Sequence, residues 1–384
     1  MEEGEFSNIE DELENVKKGD TILHLNYKGL KSLPPCLLTD ICYRNLKIIY
    51  AKRNRLMCLP EYLNQLFNLV ELYLPSNNIK TIPDGICDLR NLESLNLCDN
   101  ELNHLPAVIG KLKKLQKLQV SVNKLKCLLS CIGDLCNLKT LELMRNDLST
   151  LPVSLCQCER LETLNLDYNR LTTLPRHFWR LTSLSELSVC GNNLINLPQT
   201  FASKGSSSNL RCLFVDKNPA LHVLPLSLIH VDIGNFQSCR RNDPLGVLPG
   251  AVELVVPYKE ILVPIVMPPE VRNITTPWKS VPSLQELGLR ATGALRSKFM
   301  DFKDFDEMLD SLPCNLKSLL LDPTAFCQSC LQEVYVSALP EVVLDQSIFY
   351  LGFCCSVKCA VQISLMYSTN FGINIVYPLC MPVI

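Results

Sequence analysis

The chain has 384 residues, 47% of them hydrophobic, and its 37 lysines and arginines are nearly balanced by 39 aspartates and glutamates. This length and apolar content argue against a disordered chain and allow one long solenoid, or a solenoid with a small satellite domain. The formal net charge of −2 is too balanced to create the field that nucleic acid or an anionic membrane would need, so we expect a protein partner.

The N-terminal segment, residues 1–19, is rich in carboxylates and has no apolar run. It therefore lacks the hydrophobic region of a secretory signal, and we expect a cytoplasmic protein. The chain has 20 cysteines. Ten of them lie singly or loosely between residues 58 and 212, where we interpret them as small buried hydrophobes or free surface thiols.

Leucines at positions 46, 69, 92, 115, 138, 161 and 184 follow one another at intervals of 23 residues. From each of them the chain reads L-x-x-[LI]-x-[LVA]-x-x-N-x-[LI]-x-x-[LI]-P, with Leu129 replacing one proline. Degenerate copies flank the series at Asp20–Pro34 and Leu210–Pro225. Such self-similarity predicts about nine stacked coils over residues 20–230.

Each position of the pattern has a physical reason. The two residues of the L-x-L pair point inward from a short strand, because side chains alternate along a strand. The asparagine that follows each strand can satisfy backbone groups where the chain turns. The L-P step closes the strand side and starts a return segment that fills the other wall of the core. No coil can bury its leucines alone, so stability comes from stacking neighbours.

The outward positions of the strands predict the binding surface, since stacked strands about 4.8 Å apart form a curved parallel sheet. Any single position can equally be a solvated residue without a partner. As a set we predict a protein-binding face, with its preferred anchors at Tyr50, Arg53 and Tyr73. The predicted residues are Tyr50, Lys52, Arg53, Glu71, Tyr73, Asp99, Glu142, Arg145, Asp167, Tyr168 and Phe214.

The repeat pattern resembles the typical class of intracellular leucine-rich repeat. The resemblance extends to LNYKGL, NLVELYLPSNNI, SLQELGLR and the closing cysteines, and it covers most of residues 20–365. It implies an α/β leucine-rich repeat solenoid and a non-enzymatic interaction protein with a cysteine-bearing tail module.

The period stops after Pro225. Prolines interleave with β-branched runs over residues 231–312, so we expect edge strands and loops that cap the solenoid. The segment 301–321 has helical spacing broken at Pro313. The last residues, 366–384, form an apolar tail without charge. Polar residues and prolines interrupt this tail, which favours a packed strand or loose tail over a membrane helix.

Residues 313–365 contain two cysteine pairs with the spacing of a metal site. Cys327-x2-Cys330 is followed after 24 residues by Cys355-x3-Cys359, and four thiolates can meet at one tetrahedral point if the intervening segment folds back as a hairpin. The arrangement resembles treble-clef zinc modules, and four protein ligands imply structural zinc. Cys354 is an alternative to Cys355, and reduced buried cysteines without metal are the other interpretation.

These features predict a non-enzymatic scaffold or adaptor. A variant is a substrate-recognition subunit of a cullin-type ubiquitin ligase, for which Leu38-x3-Cys42-x3-Leu46 resembles an elongin-binding box, although core packing explains the same leucines. An enzyme acting on a small-molecule substrate is not expected, because the five histidines are dispersed and no G-x-S-x-G or phosphate-binding glycine loop occurs.

Overall fold

The computed structural model describes residues 9–234 except 62, 200–208 and 222; beyond these it describes the strands given below and the single positions Cys359 and Gln362. The chain divides into two compact units. The first unit consists of Met1–Leu171, Arg180–Asn192 and Asn209–Asp216. The second consists of Thr172–Trp179, Asn193–Ser208 and Lys217–Ile384.

The acidic N-terminal segment contains a helix, α1 (Glu10–Lys17), which the sequence pattern did not reveal. Its first turn carries three carboxylates and its last turn Lys17, an arrangement that suits the helix dipole. Ile9 and Val16 are buried, and Glu12 pairs with Lys28 at 3.1 Å. The helix therefore covers the first coil.

Nine short parallel strands form the sheet of the first unit, each pairing in register with the next. Their central residues are all leucine or isoleucine and are all buried. The 23-residue period and the inward L-x-L pair are thus confirmed. The strands are β1 (Ile22–His24), β2 (Ile48–Tyr50), β3 (Glu71–Tyr73), β4 (Ser94–Asn96), β5 (Lys117–Gln119), β6 (Thr140–Glu142), β7 (Thr163–Asn165), β8 (Glu186–Ser188) and β9 (Cys212–Phe214).

The asparagine after each strand joins its coil to the preceding one. The Asn100 side-chain oxygen accepts from the Ile79 N–H at 3.0 Å, and its Nδ2 donates to the Leu74 carbonyl at 3.0 Å. The same bonds recur from Asn77 to Asn192. The predicted role of the asparagines is confirmed in detail.

Short helices form the return segments. One is a four-residue α-helix, α2 (Cys36–Thr39), and the others are 3-10 helices whose apolar residues, such as Ile86 and Leu155, are buried. The 3-10 helices are Ile41–Asn45, Asn64–Leu66, Asp84–Asp88, Ala107–Lys111, Ser130–Asp134, Val153–Gln157, Arg176–Arg180 and Leu226–Leu228.

Leu129 occupies a proline position with the backbone of a proline. Its φ of −79° and ψ of 158° match Pro83 at −71° and 159°, and we find no hydrogen bond from the Leu129 N–H within the described part of the chain. Proline lowers the entropy of the unfolded chain where it fits without strain, so Leu129→Pro is expected to stabilise the fold by about 0.5–1 kcal/mol. Urea unfolding of this variant, with Leu129→Ala as control, measures the effect; a loss of stability with proline would contradict it.

The second unit contains strands from the region after the repeats. Two of them, β12 (Glu253–Tyr258) and β13 (Ile261–Val266), pair antiparallel, which confirms the expected proline-containing edge strands. The remaining strands are β10 (Val223–Pro225), β11 (Asp232–Ile233), β14 (Asn273–Ile274), β15 (Ala325–Phe326), β16 (Glu333–Val334), β17 (Ser337–Asp345), β18 (Ile348–Cys354) and β19 (Asn374–Val376).

A hairpin organises the sheet of the second unit. Strands β17 and β18 pair antiparallel, with Asp345 opposite Ile348, and β10 pairs parallel with β18. Strand β14 pairs parallel with β17. Strand β19, from the apolar tail, pairs with β17, so this part of the tail is a paired strand. The helical spacing predicted for residues 301–321 lies outside the described residues.

Candidate protein-binding surface

The outward side chains of β1–β9 lie in rows across the sheet, and we call this surface the strand face. The third residue of each strand pairs with the third residue of the next, which gives one continuous row. Four predicted residues, Tyr50, Tyr73, Glu142 and Phe214, belong to this row, and Glu71 belongs to the row formed by the first residues. Alternation therefore places these five on one face, as expected.

A third row of outward residues precedes the asparagines, and its backbone is left-handed. Arg53, Asp99, Arg145 and Tyr168 have φ values of 52°, 56°, 54° and 53°. The left-handed region is uncommon for residues other than glycine and asparagine. The repeated geometry sets the direction in which four predicted binding residues leave the backbone, so their placement depends on the fold and not on residue type.

Aromatic and cationic side chains gather at the N-terminal end of the strand face. The His24 and Tyr50 rings stack with centroids 5.5 Å apart, and the Tyr50 and Tyr73 rings form a T-shaped pair with centroids 5.8 Å apart. The Arg53 guanidinium lies 5.7 Å from the centre of the Tyr27 ring, within the range of a cation–π contact. We call this set the aromatic-basic cluster: His24, Tyr27, Tyr50, Lys52, Arg53 and Tyr73.

The degenerate first coil supplies two members that the sequence prediction missed. The first coil has Lys28 where later coils have asparagine. The repeat pattern therefore does not show which of its residues face outward. Asn54 of the next coil compensates by accepting from the Lys28 and Leu30 N–H groups at 3.1 and 3.0 Å. Continuing the row of Tyr50 one coil back would have identified His24.

A second arginine–tyrosine pair lies further along the left-handed row. The Arg145 guanidinium is 5.6 Å from the centre of the Tyr168 ring. Next to it, a Cβ on Gly191 would lie 2.7 Å from the Tyr168 ring, so glycine makes room for the tyrosine. Tyr168 remains 40% exposed. This pair can therefore form, for a partner, a contact area that is smaller than the aromatic-basic cluster.

Asp167 has a structural role that its sequence position did not reveal. One carboxylate oxygen accepts from the Ser188 hydroxyl at 2.6 Å and from the Cys190 N–H at 2.7 Å. These charge-assisted bonds hold the end of β8. The carboxylate faces outward as predicted, but its hydrogen-bonding capacity is partly used inside the protein.

Lys52 and Arg53 have no carboxylate partner within the described residues. The ion pairs found there involve Lys17, Lys18, Lys28, Lys124, Lys139 and Arg170 instead. Asn26 fixes the Lys52 backbone by accepting its N–H at 2.7 Å. The charges of Lys52 and Arg53 are therefore not neutralised by acidic side chains of the described chain.

Thiols on and behind the strand face are protected by burial. Burial raises the pKa of the Cys98 thiol to about 11 and the pKa of the Cys158 thiol to about 12. Thiolates, not thiols, act as nucleophiles and metal ligands. These two cysteines therefore have the opposite of the pKa shift that reactivity requires, which fits the structural role predicted for cysteines in the repeats.

Cysteine alkylation should discriminate between these environments. At pH 8, iodoacetamide is expected to modify the exposed Cys127 in the folded protein and to leave Cys158 unmodified until denaturant is added, because only an accessible thiolate reacts. Mass spectrometry of the proteolytic peptides measures both sites. Equal labelling of Cys127 and Cys158 in the folded protein would contradict the fold around Cys158.

A scan against protein-family models agrees with this geometry: the model described as leucine rich repeat matches residues 67–125 and 136–194. The chain contains leucine-rich repeats. Leucine-rich repeats are quasi-one-dimensional stacks that commonly offer extended protein-binding surfaces. The fold expected from the sequence, an α/β leucine-rich repeat solenoid, is confirmed.

A search of solved structures matches parts of this chain to other proteins, including these three. A leucine-rich repeat protein of Leptospira interrogans is 23% identical over 55% of this chain and 70% of that chain, with a TM-score of 0.44. The leucine-rich repeat domain of the type III effector XopL is 24% identical, covering 60% and 78%, with a TM-score of 0.49. A TDR receptor is 22% identical, covering 57% and 43%, with a TM-score of 0.47.

Three other sequence predictions concern parts outside the strand face. Cys327, Cys330 and Cys355 lie outside the described residues, while Cys359 has helical backbone. Within the described residues, no three histidine, cysteine or acidic side chains form a metal-binding group.

No helix in the described part has the length and apolarity to span a membrane. Leu46 of the elongin-box pattern is fully buried, which favours its interpretation as core.

Proposed function

We propose that this protein is a non-enzymatic, cytoplasmic scaffold or adaptor that binds a protein partner on the strand face. The observation that carries the proposal is the aromatic-basic cluster. It combines half-exposed tyrosine rings with two cations that lack internal carboxylate partners. Tyrosine and arginine are the residues that dominate the energy of protein interfaces.

The aromatic-basic cluster is expected to contribute more binding energy than the rest of the strand face. His24, Tyr50 and Tyr73 contact one another, so a partner meets rings that are already ordered. Binding then costs less side-chain entropy than it would at isolated long side chains. The other predicted positions contribute shape and charge around this centre, as most interface residues do.

A reducing compartment is supported by the state of the cysteines. Within the described part of the chain, four exposed cysteines, Cys42, Cys58, Cys127 and Cys136, are free thiols. Exposed free thiols persist where glutathione and thioredoxin keep them reduced. This supports the cytoplasmic part of the proposal.

Proximity labelling in cells tests the binding proposal. The wild-type chain is compared with Tyr50→Ala with Tyr73→Ala, and with Tyr50→Phe with Tyr73→Phe, which keeps both rings. The alanine variant is expected to lose specific neighbours that the wild-type and phenylalanine variants retain. Urea unfolding checks that the alanine variant is as stable as the wild type. If its unfolding midpoint is unchanged and it still labels every neighbour, the proposal is refuted.

We further propose that Cys327, Cys330, Cys355 and Cys359 hold one structural zinc ion, with Cys354 as the alternative to Cys355. Support comes from the antiparallel pairing of β17 with β18, which supplies the hairpin that such a site needs between its two cysteine pairs. Zinc bound by four protein thiolates would stabilise the fold and leave no open position for chemistry.

Metal analysis of purified protein tests the zinc proposal. One zinc per chain is expected in the wild type, and loss of zinc in Cys327→Ser with Cys330→Ser. The control variant, Cys42→Ser with Cys58→Ser, changes two exposed thiols of the first coils and is expected to keep the metal. Wild-type protein without zinc would refute the site.

A further inference from the structure

We infer that the aromatic-basic cluster recognises an extended acidic peptide segment of a partner protein, with an aromatic side chain that packs against Tyr50 and Tyr73. This inference rests on the proposed function and adds the chemistry of the partner. It is carried by three features of the first three coils: apolar outward positions, ordered rings and unpaired cations.

Isoleucines occupy outward positions in the first two coils. In the row formed by the first strand residues, Ile22 and Ile48 occupy the first two coils, and Ile22 is 38% exposed. From β3 to β8 the same row carries polar or charged residues: Glu71, Ser94, Lys117, Thr140, Thr163 and Glu186. Residues two apart in a strand point to the same side, so Ile48 and Tyr50 form one surface that can pack an apolar partner side chain.

The cations of the cluster favour an acidic partner. Lys52 and Arg53 are held at the end of β2, and their backbone N–H groups are fixed by Asn26 at 2.7 Å and by the Pro75 carbonyl at 3.0 Å. Their side chains have no ion pair within the described residues. A carboxylate of a peptide can therefore pair with either cation without first breaking an internal ion pair.

Acidic residues elsewhere on the strand face would position such a peptide. Beyond the third coil the outward positions include the carboxylates of Asp99, Glu142 and Glu186. The cations of Lys117 and Arg145 also lie there, and Arg145 contacts Tyr168 as Arg53 contacts Tyr27. Like charges disfavour placement of an acidic chain beside these carboxylates, so we expect the peptide at the N-terminal end, where the two cations Lys52 and Arg53 are adjacent. Glu71 marks the boundary, since it lies on the strand that also carries Tyr73.

A peptide fits the cluster better than single-stranded RNA does. Stacking of bases needs free ring faces, whereas His24 and Tyr50 stack on each other and Arg53 covers Tyr27. RNA binding also draws most of its affinity from several phosphate contacts, and the cluster offers two cations beside His24. We therefore assign a peptide ligand to the cluster, and an RNA probe is included in the binding experiment.

Fluorescence anisotropy with defined probes tests the inference on the full chain. The probes are a labelled 12-residue peptide of aspartates, glutamates and serines with one central phenylalanine, the same peptide with alanine for phenylalanine, the same peptide with lysine for each acid, and a 12-nucleotide oligo(U) RNA. We expect the acidic phenylalanine peptide to bind at least about tenfold more tightly than the alanine and lysine peptides. Its affinity should fall as NaCl is raised, because the ion pairs are exposed.

Variants locate the binding on the surface. Lys52→Glu with Arg53→Glu is expected to weaken binding of the acidic phenylalanine peptide by about tenfold or more. The control, Lys111→Glu with Lys126→Glu, makes the same charge change at exposed positions outside the strand face and is expected to bind as the wild type does. A larger loss from Arg145→Glu than from Lys52→Glu with Arg53→Glu would overturn the inference.

The remaining outcomes separate the inference from the proposed function. Tighter binding of oligo(U) than of any peptide, or binding that salt does not affect, would overturn the inference. If no peptide binds while proximity labelling still depends on the tyrosine rings, the acidic partner is wrong and the binding role stands. If the labelling is also unaffected by the alanine substitutions, both fail.

Discussion

Replacing Asn146 by alanine is expected to lower the free energy of unfolding by about 2–3 kcal/mol, because it leaves a buried backbone donor without an acceptor. The Asn146 oxygen accepts from the Leu125 N–H at 3.0 Å, and its Nδ2 donates to the Val120 and Leu143 carbonyls, both at 3.0 Å. The two carbonyls keep bonds from Asn123 and Asn169. The Leu125 N–H has no second acceptor in the described part of the chain.

Urea unfolding followed by circular dichroism measures the effect. The control is Asn103→Ala, in which the same side chain is removed from an exposed position, and a change within about 0.5 kcal/mol is expected there. Equal losses in the two variants would show that the internal asparagines do not hold the coils together.

Adding one methyl group at Gly133 is expected to cost about 1–3 kcal/mol through overpacking. A Cβ there would lie 2.3 Å from the Ser154 carbonyl oxygen of the next coil, closer than any van der Waals contact. Neither coil can retreat freely, because the strands and asparagines fix their spacing. Gly133→Ala should therefore lower the thermal midpoint, measured by differential scanning calorimetry.

A graded series makes the Gly133 prediction specific. At Gly110 the corresponding distance, to the Cys131 carbonyl oxygen, is 2.6 Å, so Gly110→Ala should cost less than Gly133→Ala. Ser130→Ala changes an exposed residue of the same 3-10 helix as Gly133 and should leave the midpoint almost unchanged. A midpoint for Gly133→Ala equal to that of Ser130→Ala would contradict the close approach of the coils.

The repeat itself could be predicted from the sequence because its reasons are local and periodic. Leucines every 23 residues specify strands whose inner face is buried, and the asparagine position follows from the turn. Helix α1 could not be predicted from periodicity, because it lies before the first copy and, among residues 9–19, only Ile9 and Val16 are buried. The left-handed row was also hidden, since Tyr27, Arg53 and Val122 are not residue types that signal positive φ.

The predicted binding surface was partly visible in the sequence. Alternation assigned Tyr50, Tyr73 and Glu142 to the outward face, and the structure agrees. The ring contacts between neighbouring coils were not visible, because the first coil is degenerate and has Lys28 in place of the asparagine. His24 therefore escaped the prediction, and Asp167 was included although its carboxylate holds Ser188 and the Cys190 N–H.

The asparagine bonds from Asn77 to Asn192 all point toward the N-terminus. Asn100 serves the carbonyl of Leu74 and the N–H of Ile79, both earlier in the chain, and Asn169 serves Leu143 and Leu148 in the same way. During synthesis on the ribosome, each coil therefore lacks these two side-chain hydrogen bonds until the asparagine of its successor has emerged. The bonds between coils would therefore form from the N-terminus to the C-terminus, one coil behind the part of the chain that is being synthesised.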